Sequence, residues 1–149
     1  MKPLLRCILF NSLVVFTFTL SAQNISFYNK GNVAIAGYDP VAYFVQQAAV
    51  SGHDSITHVW SGSTWKFASL ANKQLFVSDP EKFAPQYGGY CAYGASEKHL
   101  SPTDPQAWTI VEGKLYLNYS PKVKSMWVKD SLNRIAQANQ YWPALNKKQ

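Results

Sequence analysis

Cysteine is nearly absent from this chain. The 149 residues contain two, Cys7 and Cys91. No Cys-x-x-Cys or His-x-His pair occurs, so no local zinc-binding signature is present. Acidic residues number eight and charged residues of both signs make up 15%. There is no charge run, no internal repeat and no low-complexity stretch. A length of 149 residues fits one domain, with no room for a second core. The longest apolar run, Cys7 to Leu20, falls short of the ~20 residues that a membrane-spanning helix needs.

That run is read as a targeting segment. Lys2 and Arg6 precede it, and Thr19, Ser21 and Ala22 end it with small residues. Charged start, apolar centre and small-residue end are the order of a secretory signal peptide, here residues 1–22. The expectation is export to the periplasm or the medium, with no stable membrane span after cleavage. Removing 22 of the 149 residues leaves 127, and the net charge falls from +6 to +4. The remaining basic residues are scattered, apart from Lys122–Arg134 and the tail, so a nucleic-acid partner is not expected. Cys91 is then the one cysteine left, and a disulfide-stapled scaffold is excluded.

Abundant features are apolar and aromatic: 47% hydrophobic residues and 15% Phe, Trp and Tyr. This is a composition that buries a core in a short chain. Five capping residues stand directly before proline: Asp39, Asp79, Ser101, Asp104 and Ser120. At least three of these pairs are expected to start helices, because proline at the first helical position loses no hydrogen bond. Ile56–Trp60 and Thr64–Phe67 flank Ser-Gly-Ser and form one expected hairpin. Thr109–Val111 and Lys114–Leu117, joined by Glu112-Gly113, form a second. Val33–Ala36 is expected as a strand. Leu70–Val77 is expected as a helix capped by Ser69. From Ser120-Pro121 a single long helix is expected up to Pro143, on the three- and four-residue spacing of Val123, Trp127, Val128, Leu132, Ile135, Ala138 and Trp142. Together these give an α+β fold: a small antiparallel sheet of hairpins packed with short helices and one long C-terminal helix.

The strings Gly37-Tyr-Asp-Pro-Val-Ala-Tyr-Phe44, His58-Val-Trp-Ser-Gly-Ser-Thr-Trp-Lys-Phe67, Asp79–Gly94 and Leu115-Tyr-Leu-Asn-Tyr119 together resemble an exported YHS-domain protein. The resemblance divides the chain into signal peptide 1–22, an N-terminal lead 23–32, a YHS-like domain 33–143 and a basic tail 144–149. It implies a small module associated with metal handling. The family's pattern places cysteines where this chain has Ala42 and Ala68, so its thiolate site does not carry over.

Cys91 is the sharpest candidate for chemistry, as a soft metal ligand or nucleophile following the flexible Gly88-Gly89 pair. The alternative is a buried free cysteine acting as a small hydrophobe between Tyr90 and Tyr93. His58 on the first hairpin is expected as a second ligand, with His99 as a further one; copper or zinc would suit one sulfur and one or two imidazoles. His53 is read as a solvated loop histidine, and Met126 as a core residue of the long helix. An enzyme reading takes Cys91 with His58 or His99 and Asp104 as nucleophile, base and orienting acid, without support from spacing. A binding module is expected to hold a metal ion or small ligand near Cys91. The alternatives are an interaction module without metal and a Cys91-dependent redox or hydrolytic enzyme.

Overall fold

The computed structural model describes residues 26–147. The signal-peptide reading falls on residues 1–22, outside the described residues.

The chain is α+β. A four-stranded sheet has the order β1-β2-β4-β3, with β1 at Asn29–Lys30, β2 at Val33–Ala34, β3 at His53–Trp60 and β4 at Ser63–Phe67. A separate hairpin pairs β5, Asp104–Val111, with β6, Lys114–Asn118. Helices α1 (Ala42–Val45), α2 (Leu70–Ser78), α3 (Pro80–Phe83) and α4 (Ala92–Ser96) fill the connections, and α5 (Pro121–Trp127) and α6 (Ser131–Asn146) close the chain. Both expected hairpins form. The pairing of β2 with β4 is parallel, which the sequence did not indicate.

Local chemistry explains where the elements begin. Ser69, Asp79 and Ser120 each accept a backbone N–H of the helix that follows, from Asn72, Lys82 and Val123. Asp39 serves α1 in the same way, accepting from Val41 and Ala42. Ser101-Pro102 and Asp104-Pro105 start no helix, and the second pair lies in β5.

Two other expectations change. The expected strand Val33–Ala36 stops at Ala34: Ile35 and Ala36, both with φ of 49°, belong with Gly37 to a 3-10 turn. The single C-terminal helix is broken at Val128–Asp130. Trp127 points fully into the core, whereas Val128 and Leu132, counted in the same periodic stripe, are exposed. The stripe therefore does not occupy one face, and the chain turns to bury Trp127 and Ala138 together. Pro143 does not end α6, which runs to Asn146 with Leu145 buried in its last turn.

The β5–β6 hairpin divides the interior. Side chains alternate across a strand. Leu115 and Leu117 face a core with Phe27, Val41, Tyr43, Trp65, Phe67 and Phe76. Tyr116 faces a second core with Tyr87, Ala92, Ala95, Trp127, Ala138 and Leu145. Phe76 anchors the first core, with ring centroids 4.9 Å from Trp65 and 5.3 Å from Phe67. Packing begins ahead of Val33. Phe27 is 4% exposed, and Tyr28 donates its N–H to Gly88 O at 2.7 Å.

The same alternation places the next residue. Asn118 is two positions after Tyr116, so it lies on the second-core side, where it is fully buried. This brings a polar side chain to the start of α4.

Candidate functional site

Cys91 is the N-cap of α4 and is 2% exposed. Its backbone N–H donates to Ser101 O at 3.0 Å. Its sulfur accepts N–H groups from Gly94 at 3.4 Å and Tyr119 at 3.3 Å. The thiol faces Asn118 Oδ1 at 3.7 Å, and that oxygen also accepts Tyr93 N–H at 3.2 Å. Two segments thus converge on one sulfur: the start of α4, and the end of β6 with the residue beyond it.

The preceding loop is tightly wound. Tyr87, Gly88 and Gly89 have φ of 54°, 59° and 77°. A left-handed tyrosine is uncommon. It is held here by its hydroxyl, whose one proton is donated to Asn139 Oδ1 at 2.9 Å, with Ile135 O beside it at 3.3 Å. Burial pushes the Tyr87 hydroxyl well above the usual tyrosine range, and Tyr116 adds to the shift. At Gly88 an added Cβ would stand 2.5 Å from Ser26 O, so no larger residue fits.

On the other side of Cys91, His99 and Ser101 come back over Gly94. A Cβ on Gly94 would lie 3.3 Å from His99 Nε2, 3.3 Å from Ser101 Oγ and 3.1 Å from His99 O. Gly94 is therefore closely covered by His99 and Ser101, and a larger residue there would have to displace them. His99 is otherwise exposed, with Nδ1 3.4 Å from Glu97 O.

Arg134 of α6 fixes α4 from behind. It donates to Ser96 Oγ at 3.1 Å and to Tyr93 OH at 3.2 Å, pairs with Glu97, and lies 4.0 Å over the Tyr93 ring. Partial burial opposes its charge, but the Glu97 and Tyr93 contacts outweigh that and raise its pKa overall.

The other sequence candidates lie elsewhere. His58 sits on β3 opposite Trp65, with its ring 6.4 Å from Phe76. It therefore packs on the first core, whereas Cys91 belongs to the corner beside the second, and no contact joins them. His53 is exposed at the start of β3, within a strand and not a loop. Met126 is 44% exposed on α5 and does not belong to the core. Asp104 accepts Gln106 N–H at 2.9 Å and makes no contact that would orient an imidazole. Among the described residues no group of three or more His, Cys, Asp and Glu side chains could hold a metal ion.

The thiolate pattern of the YHS family does not fit this chain. Ala42 and Ala68, at the positions of its cysteines, both donate backbone N–H groups to one carboxylate, that of Asp39, at 3.3 and 2.7 Å. Their common neighbour is therefore a buried hydrogen-bond acceptor and not a metal.

Asn118 and Gly94 were missed in the sequence. The signal for Asn118 was present: in Lys-Leu-Tyr-Leu-Asn the asparagine falls in phase with a core tyrosine. No family model matches the chain, and neither a curated protein nor a solved structure does. The YHS resemblance rests on the motifs alone.

Proposed function

We propose that this chain is an extracytoplasmic binding module of YHS type that takes a soft metal ion or a small ligand at the Cys91 corner. The observation that carries the reading is the set of donors gathered at Gly94: its N–H points at the Cys91 sulfur, and the exposed His99 imidazole and the Ser101 hydroxyl pack closely against its Cα. Cys91 and His99 are the donor pair, and His58 is not. Copper suits one sulfur and one imidazole better than zinc, which favours four ligands. Binding releases the thiol proton and ends the contact with Asn118.

Calorimetric titration of copper and zinc into the wild type, Cys91→Ser, His99→Ala and His58→Ala tests this. Cys91→Ser should remove most of the affinity, His99→Ala should weaken it at least tenfold, and His58→Ala should change nothing. Equal binding by wild type and Cys91→Ser eliminates the site.

A second reading, an interaction module without metal, is favoured by the near-complete burial of Cys91 and by the outer face of α2. There Leu70 and Val77 are exposed, and with Lys73, Gln74 and Ser78 they line an open groove. Absence of metal binding in all four proteins supports this reading.

A further inference from the structure

We propose that the corner between α5 and α6 docks on the surface of an anionic phospholipid bilayer. This is independent of the Cys91 site and uses none of its residues. It begins with a charge imbalance. From Lys114 to Gln149 the sequence holds seven Lys and Arg residues and one acid, Asp130, a net +6. Residues 23–113 hold five Lys and Arg residues and seven acids, a net −2. Such asymmetry within one domain directs its positive part towards an anionic partner.

The same segment carries apolar side chains that the fold leaves outside. Val128 and Leu132 fit the helical stripe, but the break at Val128–Asp130 leaves them 43% and 63% exposed, and Met126 is 44% exposed. Trp127, between Met126 and Val128, is fully buried with its ring centroid 5.2 Å from that of Tyr116, so the corner is anchored from inside. Asp130 accepts Asn133 Nδ2 at 2.7 Å, which engages the one acid of the segment. Along α5 and its 3-10 extension, Lys122, Met126 and Lys129 follow at spacings of four and three, which places them on one face. Lys122 and Lys129 are exposed, and among the described residues neither has an ion pair. Lys124, by contrast, lies over the Trp108 ring at 5.5 Å, and Arg134 pairs with Glu97.

A single exposed apolar residue needs no explanation, but three between Met126 and Leu132, interleaved with unpaired lysines, mark an interaction surface. An anionic bilayer suits both kinds of side chain. Met126, Val128 and Leu132 enter the boundary between headgroups and acyl chains. The long stems of Lys122 and Lys129 let their ammonium groups stay at the phosphates. Protein interfaces gather apolar residues in a dry centre and keep charges at the rim. Here Lys129 stands between Val128 and Leu132 along the chain. Lipid headgroups move laterally to meet each ammonium, so this interleaving fits a bilayer better than a fixed acidic protein surface.

The test uses the full chain and two kinds of vesicle, phosphatidylcholine alone and phosphatidylcholine mixed with phosphatidylglycerol. Co-sedimentation measures partition, and an amine-reactive reagent followed by peptide mass mapping locates the covered lysines. The expected result is binding to the phosphatidylglycerol vesicles at about 0.1 M salt that is lost at about 1 M salt. On those vesicles Lys122 and Lys129 should lose reactivity, whereas Lys73 on α2 and Lys82 on α3 should keep it. A lysine close to an anionic leaflet contributes about fivefold in partition, so Lys122→Glu combined with Lys129→Glu should weaken binding about twentyfold or more. Met126→Ser combined with Leu132→Ser should weaken it about tenfold with the charges intact. All four positions are exposed, so both variants should melt with the wild type; Leu132→Ser alone serves if the double serine variant does not fold. Absence of binding to either vesicle, or equal binding to both, would overturn the proposal. So would undiminished binding by the charge-reversed variant, which would assign the membrane contact to the apolar run Cys7 to Leu20. Tighter binding to soluble polyglutamate, indifferent to Leu132→Ser, would also overturn it and assign the surface to an acidic protein partner.

Discussion

Asp39 Oδ2 accepts the side-chain amide of Asn72 at 2.7 Å, and both residues are buried. The same oxygen accepts Ala68 N–H, and the other carboxylate oxygen takes Val41 N–H and Ala42 N–H. One carboxylate therefore ties the start of α1, the end of β4 and the first turn of α2 together.

The first prediction follows from that junction. A hydrogen bond to a charged group contributes about 1.5–3 kcal/mol, and removing the acceptor strands its donors. Asp39→Ala should lower stability by about 4 kcal/mol or more, and Asn72→Ala by about 2 kcal/mol. Asp39→Asn should fall between them, since one NH2 group must face a donor. Urea unfolding of the three variants checks the order. An Asp39→Ala loss no larger than that of Asn72→Ala would show that the junction is not cooperative.

Local signals in the sequence were strong where one residue decides the outcome. Ser69, Asp79 and Ser120 cap the helices expected of them, and Glu112-Gly113 makes its hairpin. Reading failed where tertiary packing overrides a pattern. Val128 and Leu132 fit the helical period yet face solvent, and Pro143 stands inside a helix secured by Leu145. Pairing of β2 with β4 joins residues far apart in sequence, so no local pattern encodes it. At the site, Cys91 was legible as the lone thiol beside two glycines. His99 was expected as a further partner of Cys91; Asn118 was not legible as a neighbour of the sulfur, because α4 and β6 meet only after folding. His58 was favoured on strand geometry alone, and the strand proved to belong to the other core.

The second prediction concerns metal removal. No thiolate stands at positions 42 and 68, and the surrounding donors are satisfied by Asp39. Chelator should leave the melting temperature within about 2 °C, unlike zinc modules that unfold without their ion. A steep fall on chelation would mean that a structural metal holds the chain.

The third prediction is a loss of stability at high pH. Burial raises the Tyr87 hydroxyl above its usual range, and Tyr43 is raised for the same leading reason, its hydroxyl donating to Pro105 O at 3.0 Å. Unfolded tyrosine titrates near pH ~10. Below that pH both states hold the proton, and the contribution is complete. Above it the unfolded chain releases protons that the folded chain keeps, so stability declines as pH rises. Chemical denaturation midpoints should be flat from pH 7 to 9 and fall above 10. Tyr87→Phe should lower the midpoint at neutral pH, through loss of the hydroxyl's hydrogen bond to Asn139 Oδ1, and make the alkaline decline shallower. An unchanged alkaline slope in both Tyr87→Phe and Tyr43→Phe would assign the decline to other groups.

The fourth prediction concerns Thr109, directly opposite Tyr116 across the β5–β6 pair. Its hydroxyl oxygen is buried without a hydrogen-bond partner. Leaving such a group unpaired costs about 1–3 kcal/mol, and valine has nearly the same shape without the hydroxyl. Valine is also favoured in strands, because its branched side chain fits the pleated surface. Thr109→Val should therefore stabilise the chain by about 1 kcal/mol, raising the urea midpoint without changing the slope. Trp127 Nε1 and Asn118 Nδ2 are the other orphaned buried atoms among the described residues. The three differ in what they can lose. Trp127→Phe removes an orphan but leaves a cavity, and Asn118 carries the Tyr93 and Cys91 contacts, so neither substitution isolates the cost of an unpaired donor. Thr109→Val does so at nearly constant volume. A destabilised Thr109→Val protein would show that the hydroxyl is bonded to an ordered water, and that the interior beside Tyr116 is hydrated.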